Sequence, residues 1–212
     1  MYKSLAEQAR ASLEEMIVFN ELEDGVLYSE KQLAVHIGLG RTPVREALQR
    51  LAHDRMVTIH PRKGVQVVGL TITDQLRILE VRRAIEGACV HHAAMRATEG
   101  QKQRMRGLAD GLLMAALQDE DTAVLGFLRE IHECLVEATQ NLFFAQAMSP
   151  LLSLSRRFWF MNKDMQDSRT GALLYQKILY AVCGGDCDQA ALASQVLMDY
   201  LRTFAEKEKA GT

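Results

Sequence analysis

Placed on a helix, Arg41, Thr42, Arg45 and Gln49 share one face, with Arg41 and Arg45 a single turn apart. Guanidinium groups presented this way can donate paired N–H bonds to the acceptors on base edges or phosphates. The chemistry is recognition, not catalysis. Lys31 upstream and Arg62 and Lys63 downstream add cations suited to phosphate oxygens.

These side chains need a scaffold, and the neighbouring residues supply one. Val44, Ala47, Leu48 and Leu51 form an apolar stripe at helical spacing opposite the arginines. Gly40 fits the N-cap, and Pro43 falls in the first turn, where its missing N–H costs nothing. A second short helix is predicted over Ser29–Ile37, with Ser29 and Gln32 at capping-box spacing and Leu33, Ala34 and Ile37 inward. Gly38-Leu39-Gly40 joins the two, with both glycines able to adopt positive φ. Downstream, 56–60 and 65–68 alternate as strands around Pro61-Arg62-Lys63-Gly64, which predicts a hairpin with a basic tip. Helix, turn, helix and basic hairpin make a winged helix-turn-helix. An ordinary amphipathic surface helix would share the apolar stripe, but not the paired helix and the wing.

The formal net charge of the 212 residues is −2, which says nothing about nucleic acid. Its distribution does. Residues 31–63 carry seven Lys/Arg (31, 41, 45, 50, 55, 62, 63) against Glu46 and Asp54, whereas 1–30 carry two bases and seven acids. That local excess of positive charge marks a phosphate-binding surface. No run of eighteen apolar residues occurs, so no membrane contact is expected. The first residues lack an apolar signal core and read as an amphipathic helix with Leu5, Ala9, Leu13 and Ile17 inward, so no export signal and a cytoplasmic location are expected. Cys89, Cys134, Cys183 and Cys187 are expected as four buried, reduced thiols, and the Cys183/Cys187 spacing is not that of a metal knuckle.

The chain divides into a DNA-binding domain over 1–69 and a helical domain over 70–212, with Gly69–Thr73 as linker and Thr71 or Thr73 as the cap of the next helix. Beyond it nothing alternates like a strand. Six helices are predicted, near 73–97, 100–117, 121–139, 142–162, 168–183 and 186–208, and their short connections imply an antiparallel bundle. The fold class is therefore mainly α.

The stretches Leu27-Tyr-Ser-Glu30, Gln32-Leu-Ala34, Arg41-Thr-Pro-Val-Arg-Glu-Ala-Leu48 and Lys63-Gly64 resemble the N-terminal signature of the GntR family of bacterial transcriptional regulators. One departure is Gly40, where the family usually has serine. The resemblance implies that Arg41 and Arg45 read guanines, that Thr42 contacts phosphate or base, that Lys31 adds a contact, and that Gly64 is the wing glycine near the minor groove. The C-terminal part resembles the FCD domain of the FadR subfamily, in the shorter VanR-like group. Glu80-Val-Arg82 with Ile85-Glu86, Ile131-His132 with Ala138 and Asn141, and Ile178, Ala181 and Gly185-Asp186 with Ala190 carry that match. Such domains usually hold a divalent metal on an aspartate, a histidine one turn later and two further histidines. Here His132 is retained, but those other positions hold Leu128, Tyr175 and Leu197. No metal or other cofactor is expected. Arg82, His132 and Tyr175 remain as candidate contacts for a small organic acid or an aromatic effector. The plainer alternative is that Arg82 pairs with Glu86 and His132 is a satisfied core residue. Phe158-Trp159-Phe160, with Met161 and Met165, reads as core or dimer packing.

The sequence thus points to a homodimeric repressor that binds a palindromic operator in double-stranded DNA and responds to such an effector. Two rivals stand beside it. One is a DNA-binding dimer whose bundle is purely structural and binds no effector. The other is an enzyme using His132 with Glu133 or Cys134, against which no nucleophile–base–orienter set or phosphate loop is present.

Overall fold

The computed structural model describes residues 4–210. Positions 1–3, part of the segment read above for an export signal, and 211–212 lie outside the described residues. The chain forms two compact units, Met1–Leu70 and Thr71–Thr212.

In the first unit α1 (Leu5–Val18) packs on α3 (Arg41–His53), and the short α2 (Glu30–His36) crosses α3. Ala9, Leu13 and Ile17 meet Val44, Ala47, Leu48 and Leu51 in a core that excludes water almost completely. Arg10 adds an ion pair to Asp54 at 2.9 Å, from α1 to the residue capping α3. Leu5 does not join this core and is 57 % exposed. The reason is geometric: a strict four-residue repeat drifts about 40° per step, so 5, 9, 13 and 17 cannot all face one partner. Ala6 and Met16 fill the stripe instead.

Gly38 takes the expected positive φ of +67°, but Gly40 is extended at −67°, as its capping position requires. The strands β2 (Val57–His60) and β3 (Gly64–Val67) pair antiparallel from Val57↔Val67 to His60↔Gly64 around the loop 61–63. A strand that patterning does not reveal, β1 (Leu27–Tyr28), pairs with the other edge of β3, giving the order β1-β3-β2. Two residues are too few to show alternation.

The second unit is an all-helical bundle: α4 (Ile72–Arg96), α5 (Glu99–Leu117), α6 (Asp121–Ala138), α7 (Leu142–Asn162), α8 (Met165–Gly184) and α9 (Cys187–Ala210). The main packing pairs are α4 with α9, α5 with α8, and α8 with α9. Thr71, not Thr73, caps α4 in a reciprocal box with Asp74. The same device opens α1 (Ser4/Glu7), α2 (Ser29/Gln32), α5 (Thr98/Gln101) and α8 (Asp164/Asp167). The Asp164 cap starts α8 three residues before the expected position. Phe158 and Trp159 are buried core, whereas Met161 and Met165 are exposed. All four cysteines are free; Cys89, Cys134 and Cys183 are buried, but Cys187, in the first turn of α9, is half-exposed. No helix among the described residues is long and apolar enough to cross a membrane.

Candidate nucleic-acid interface and candidate effector cavity

Burial of Val44, Ala47, Leu48 and Leu51 turns the opposite face of α3 outward. Arg41, Thr42, Arg45 and Gln49 are all exposed there, as is Lys31 on α2. Arg62 and Lys63 are exposed at the hairpin tip. Arg62 has φ +63°, a conformation that side chains seldom adopt outside tight turns. Gly64 has a structural reason of its own. Its φ is +125°, and a Cβ there would lie 2.5 Å from the Tyr28 carbonyl oxygen. The close approach of β1 to β3 therefore requires glycine whatever else the position does.

One acidic residue belongs to this surface and was not anticipated. Glu30, in the first turn of α2, accepts from Arg45 Nε at 3.1 Å and from its terminal nitrogen at 2.9 Å. Fifteen residues separate the pair, so no local periodicity points to it. Its carboxylate holds the Arg45 guanidinium above its ordinary pKa, through the hydrogen bond first and the charge second.

In the bundle Arg82, His132 and Tyr175, from α4, α6 and α8, line a single cavity. Leu112 of α5, Ser155, Arg156 and Trp159 of α7 and Leu197 and Leu201 of α9 complete it, so all six helices contribute. The cavity is narrow, with room for water but not for an organic molecule until side chains move. Leu128, Tyr175 and Leu197, the positions where the resemblance led one to look for metal ligands, lie around it together with His132.

Its polar groups form two hydrogen-bonded sets, which adjoin where Arg82 bears on Tyr175. Arg82 donates to both Glu86 oxygens, at 2.8 and 3.1 Å, and to Ser155 Oγ at 2.8 Å. Ser155 Oγ also accepts from Gln75 Nε2 at 2.9 Å. His132 Nε2 lies 2.8 Å from the Tyr175 hydroxyl, and its Nδ1 faces an Arg156 nitrogen at 3.3 Å. A guanidinium can only donate, so Nδ1 accepts and the proton sits on Nε2, toward Tyr175. Burial, then Arg156, then Arg82 push the His132 pKa well below the ordinary imidazole value. Burial opposes the charge of Arg82, but Glu86 and Tyr175 more than offset it and raise the pKa. Burial also raises the Tyr175 pKa, which keeps it a phenol. Arg156 and Ser155 escaped the sequence reading. The available signal was Arg156-Arg157 inside the otherwise uncharged and largely apolar run Leu151–Phe160.

A three-helix head with a basic, solvent-facing recognition helix and a hairpin wing, followed by a helical bundle, defines a winged-helix regulator with a C-terminal helical domain. Comparison with known proteins identifies which kind. Residues 5–67 match the model of bacterial regulatory proteins of the gntR family, and residues 77–200 match that of the FCD domain. A protein of Escherichia coli (strain K12) named as a regulator of the L-lactate dehydrogenase operon is 27% identical over 230 residues, covering 96% of this chain and 85% of that one. An HTH-type transcriptional regulator in the TAR-I ttuE-ttuC' intergenic region of Agrobacterium vitis is 34% identical over 120 residues, 55% of this chain and 70% of its own. Among solved structures, E. coli McbR/YncC superposes with a TM-score of 0.83 at 18% identity, covering 98% of this chain and 100% of that one, which shows the shared fold. The chain belongs to the GntR family and carries an FCD domain. It is a DNA-binding transcriptional regulator and not an enzyme.

Proposed function

We propose that the protein is a homodimeric repressor whose hold on a palindromic operator is modulated by a small organic acid bound in the bundle cavity. Arg41, Thr42, Arg45 and Gln49 read the major groove, and Lys31, Arg62, Lys63 and Gly64 meet the backbone or minor groove. The observation that supports the effector is the pairing of two buried guanidiniums, Arg82 and Arg156, with His132, Tyr175 and Ser155 in a cavity whose remaining wall is mostly aliphatic and aromatic. A carboxylate would find N–H donors at one end, and its hydrocarbon or ring would find apolar contacts at the other.

The residues do not suit the metal that FCD domains commonly hold. Leu128 and Leu197 have no donor atom, and both nitrogens of His132 are engaged. Arg156 faces the one nitrogen that could ligate, where its charge would oppose a cation. Effector recognition here is therefore direct, from guanidinium to carboxylate. The helix carrying Arg82 starts four residues after β3, through Val68–Thr71, so the cavity and the head share a short covalent connection.

The test uses a series of monocarboxylates from acetate through hexanoate to phenylacetate, read by thermal shift and by release of DNA selected from a random pool. Stabilisation that grows with apolar size and falls in Tyr175→Phe is the expected outcome. A full series without effect on melting or DNA binding would favour the purely structural bundle. Arg82→Ala is the wrong probe: it strands the Glu86 carboxylate in the core, a change that typically costs about 3–5 kcal/mol by itself.

A further inference from the structure

We infer that Glu30 is a specificity-determining residue: it holds Arg45 in one orientation for base reading, at the expense of general affinity for DNA. The proposal rests on the recognition-helix reading of α3. A guanidinium has two edges that can make paired bonds, one through Nε and a terminal nitrogen and one through both terminal nitrogens. Glu30 occupies the first, with Nε and one terminal nitrogen bound within 3.1 Å of the same carboxylate oxygen. The other terminal nitrogen and the outer hydrogen of the bound one remain directed away from the pair. That edge is a match for the adjacent acceptors of guanine in the major groove.

Stability does not explain the contact. Both side chains are partly exposed, at 63 % for Arg45 and 30 % for Glu30, and exposed pairs add little to folding. Contact between α2 and α3 is already secured by buried Leu33, Ala34, Val44 and Leu48. Nor does DNA affinity explain it. A carboxylate amid Lys31, Arg41 and Arg45 cancels positive charge where phosphates must approach. What it does supply is restriction. An untethered arginine on an exposed helix samples many rotamers and can settle on a phosphate or on a neighbouring base. Tethered to Glu30, it offers one edge in one place.

The two effects have opposite signs, which makes the role measurable. Wild type, Glu30→Ala, Glu30→Gln and Arg45→Ala would each select binding sites from a random duplex pool, and each would be titrated with one duplex of arbitrary sequence over a range of salt. Melting curves would confirm that every variant is folded. Glu30→Ala is expected to relax preference at one base pair in each half-site, by about tenfold, while binding the arbitrary duplex more tightly than wild type does. Glu30→Gln, which keeps one acceptor but not the charge, should bind the arbitrary duplex like Glu30→Ala and lose less of the base preference. If Arg45→Ala loses that base pair and both Glu30 variants keep it, the positioning role is overturned and the recognition helix stands. If Arg45→Ala keeps the full site, the recognition-helix reading falls, and this inference with it.

Discussion

His132 is a neutral imidazole held beside two cations. Burial, Arg156 and Arg82 depress its pKa well below 6.5, so the native chain resists taking a proton that the unfolded chain accepts readily. About a pH unit above 6.5 neither state is appreciably protonated at this residue and it has almost no effect on the balance. Below 6.5 the unfolded state binds the proton first, and stability falls as the pH falls, by at most about 1.4 kcal/mol per pH unit. Denaturant unfolding of wild type and His132→Gln between pH 7.5 and 5.5 checks this: wild type should lose more stability, and parallel losses would refute the assignment. The sequence alone left His132 and Arg82 open between core and site. The structure shows Arg82 paired with Glu86, as the plainer reading had it, and facing the cavity as well. Burial of a charge and its exposure to a cavity depend on side chains from other helices, which periodicity along one helix does not report.

At the scale of elements, the recognition helix was legible because local rules govern it. Its apolar stripe, its cap and Pro43 lie within a dozen residues. The hairpin was legible for the same reason, through β-branched alternation around Pro61 and Gly64. β1 was not, because a two-residue strand exists only through its partner, with Tyr28 opposite Val65. That pairing gives Gly64 a role independent of DNA. Gly64→Ala should destabilise the free protein, because the positive φ alone costs a residue with a Cβ about 1–3 kcal/mol and the Tyr28 carbonyl must also retreat. Thermal unfolding without DNA, together with faster hydrogen exchange at the strand amides, would show it. Wild-type stability in the variant would mean that the glycine serves DNA contact alone.

For the molecule as a whole, the helical order of the bundle was readable in advance, whereas its cavity was not. Each helix of the bundle announces itself in roughly twenty consecutive residues, but the cavity draws its walls from all six and has no footprint in any one. A single winged helix reads only a few base pairs, so operator specificity requires two heads at a fixed half-site spacing. The protein should therefore sediment at twice its chain mass of 23.8 kDa without DNA, and its complex with an operator duplex should hold two chains per duplex. A monomer that bound a single half-site as tightly as the full palindrome would overturn the dimeric reading.

The reciprocal caps also have a consequence in time. Each joins residues three apart, at Ser4, Ser29, Thr71, Thr98 and Asp164, and can close as fast as a local turn forms. Five of the helices can thus find where to begin before they meet a neighbour. The slow step left to the bundle is a search between distant segments, above all for α9 to reach α4 across the intervening chain. Removing a cap should then do more than loosen one helix end: it lengthens the search by letting a helix arrive with its start undefined.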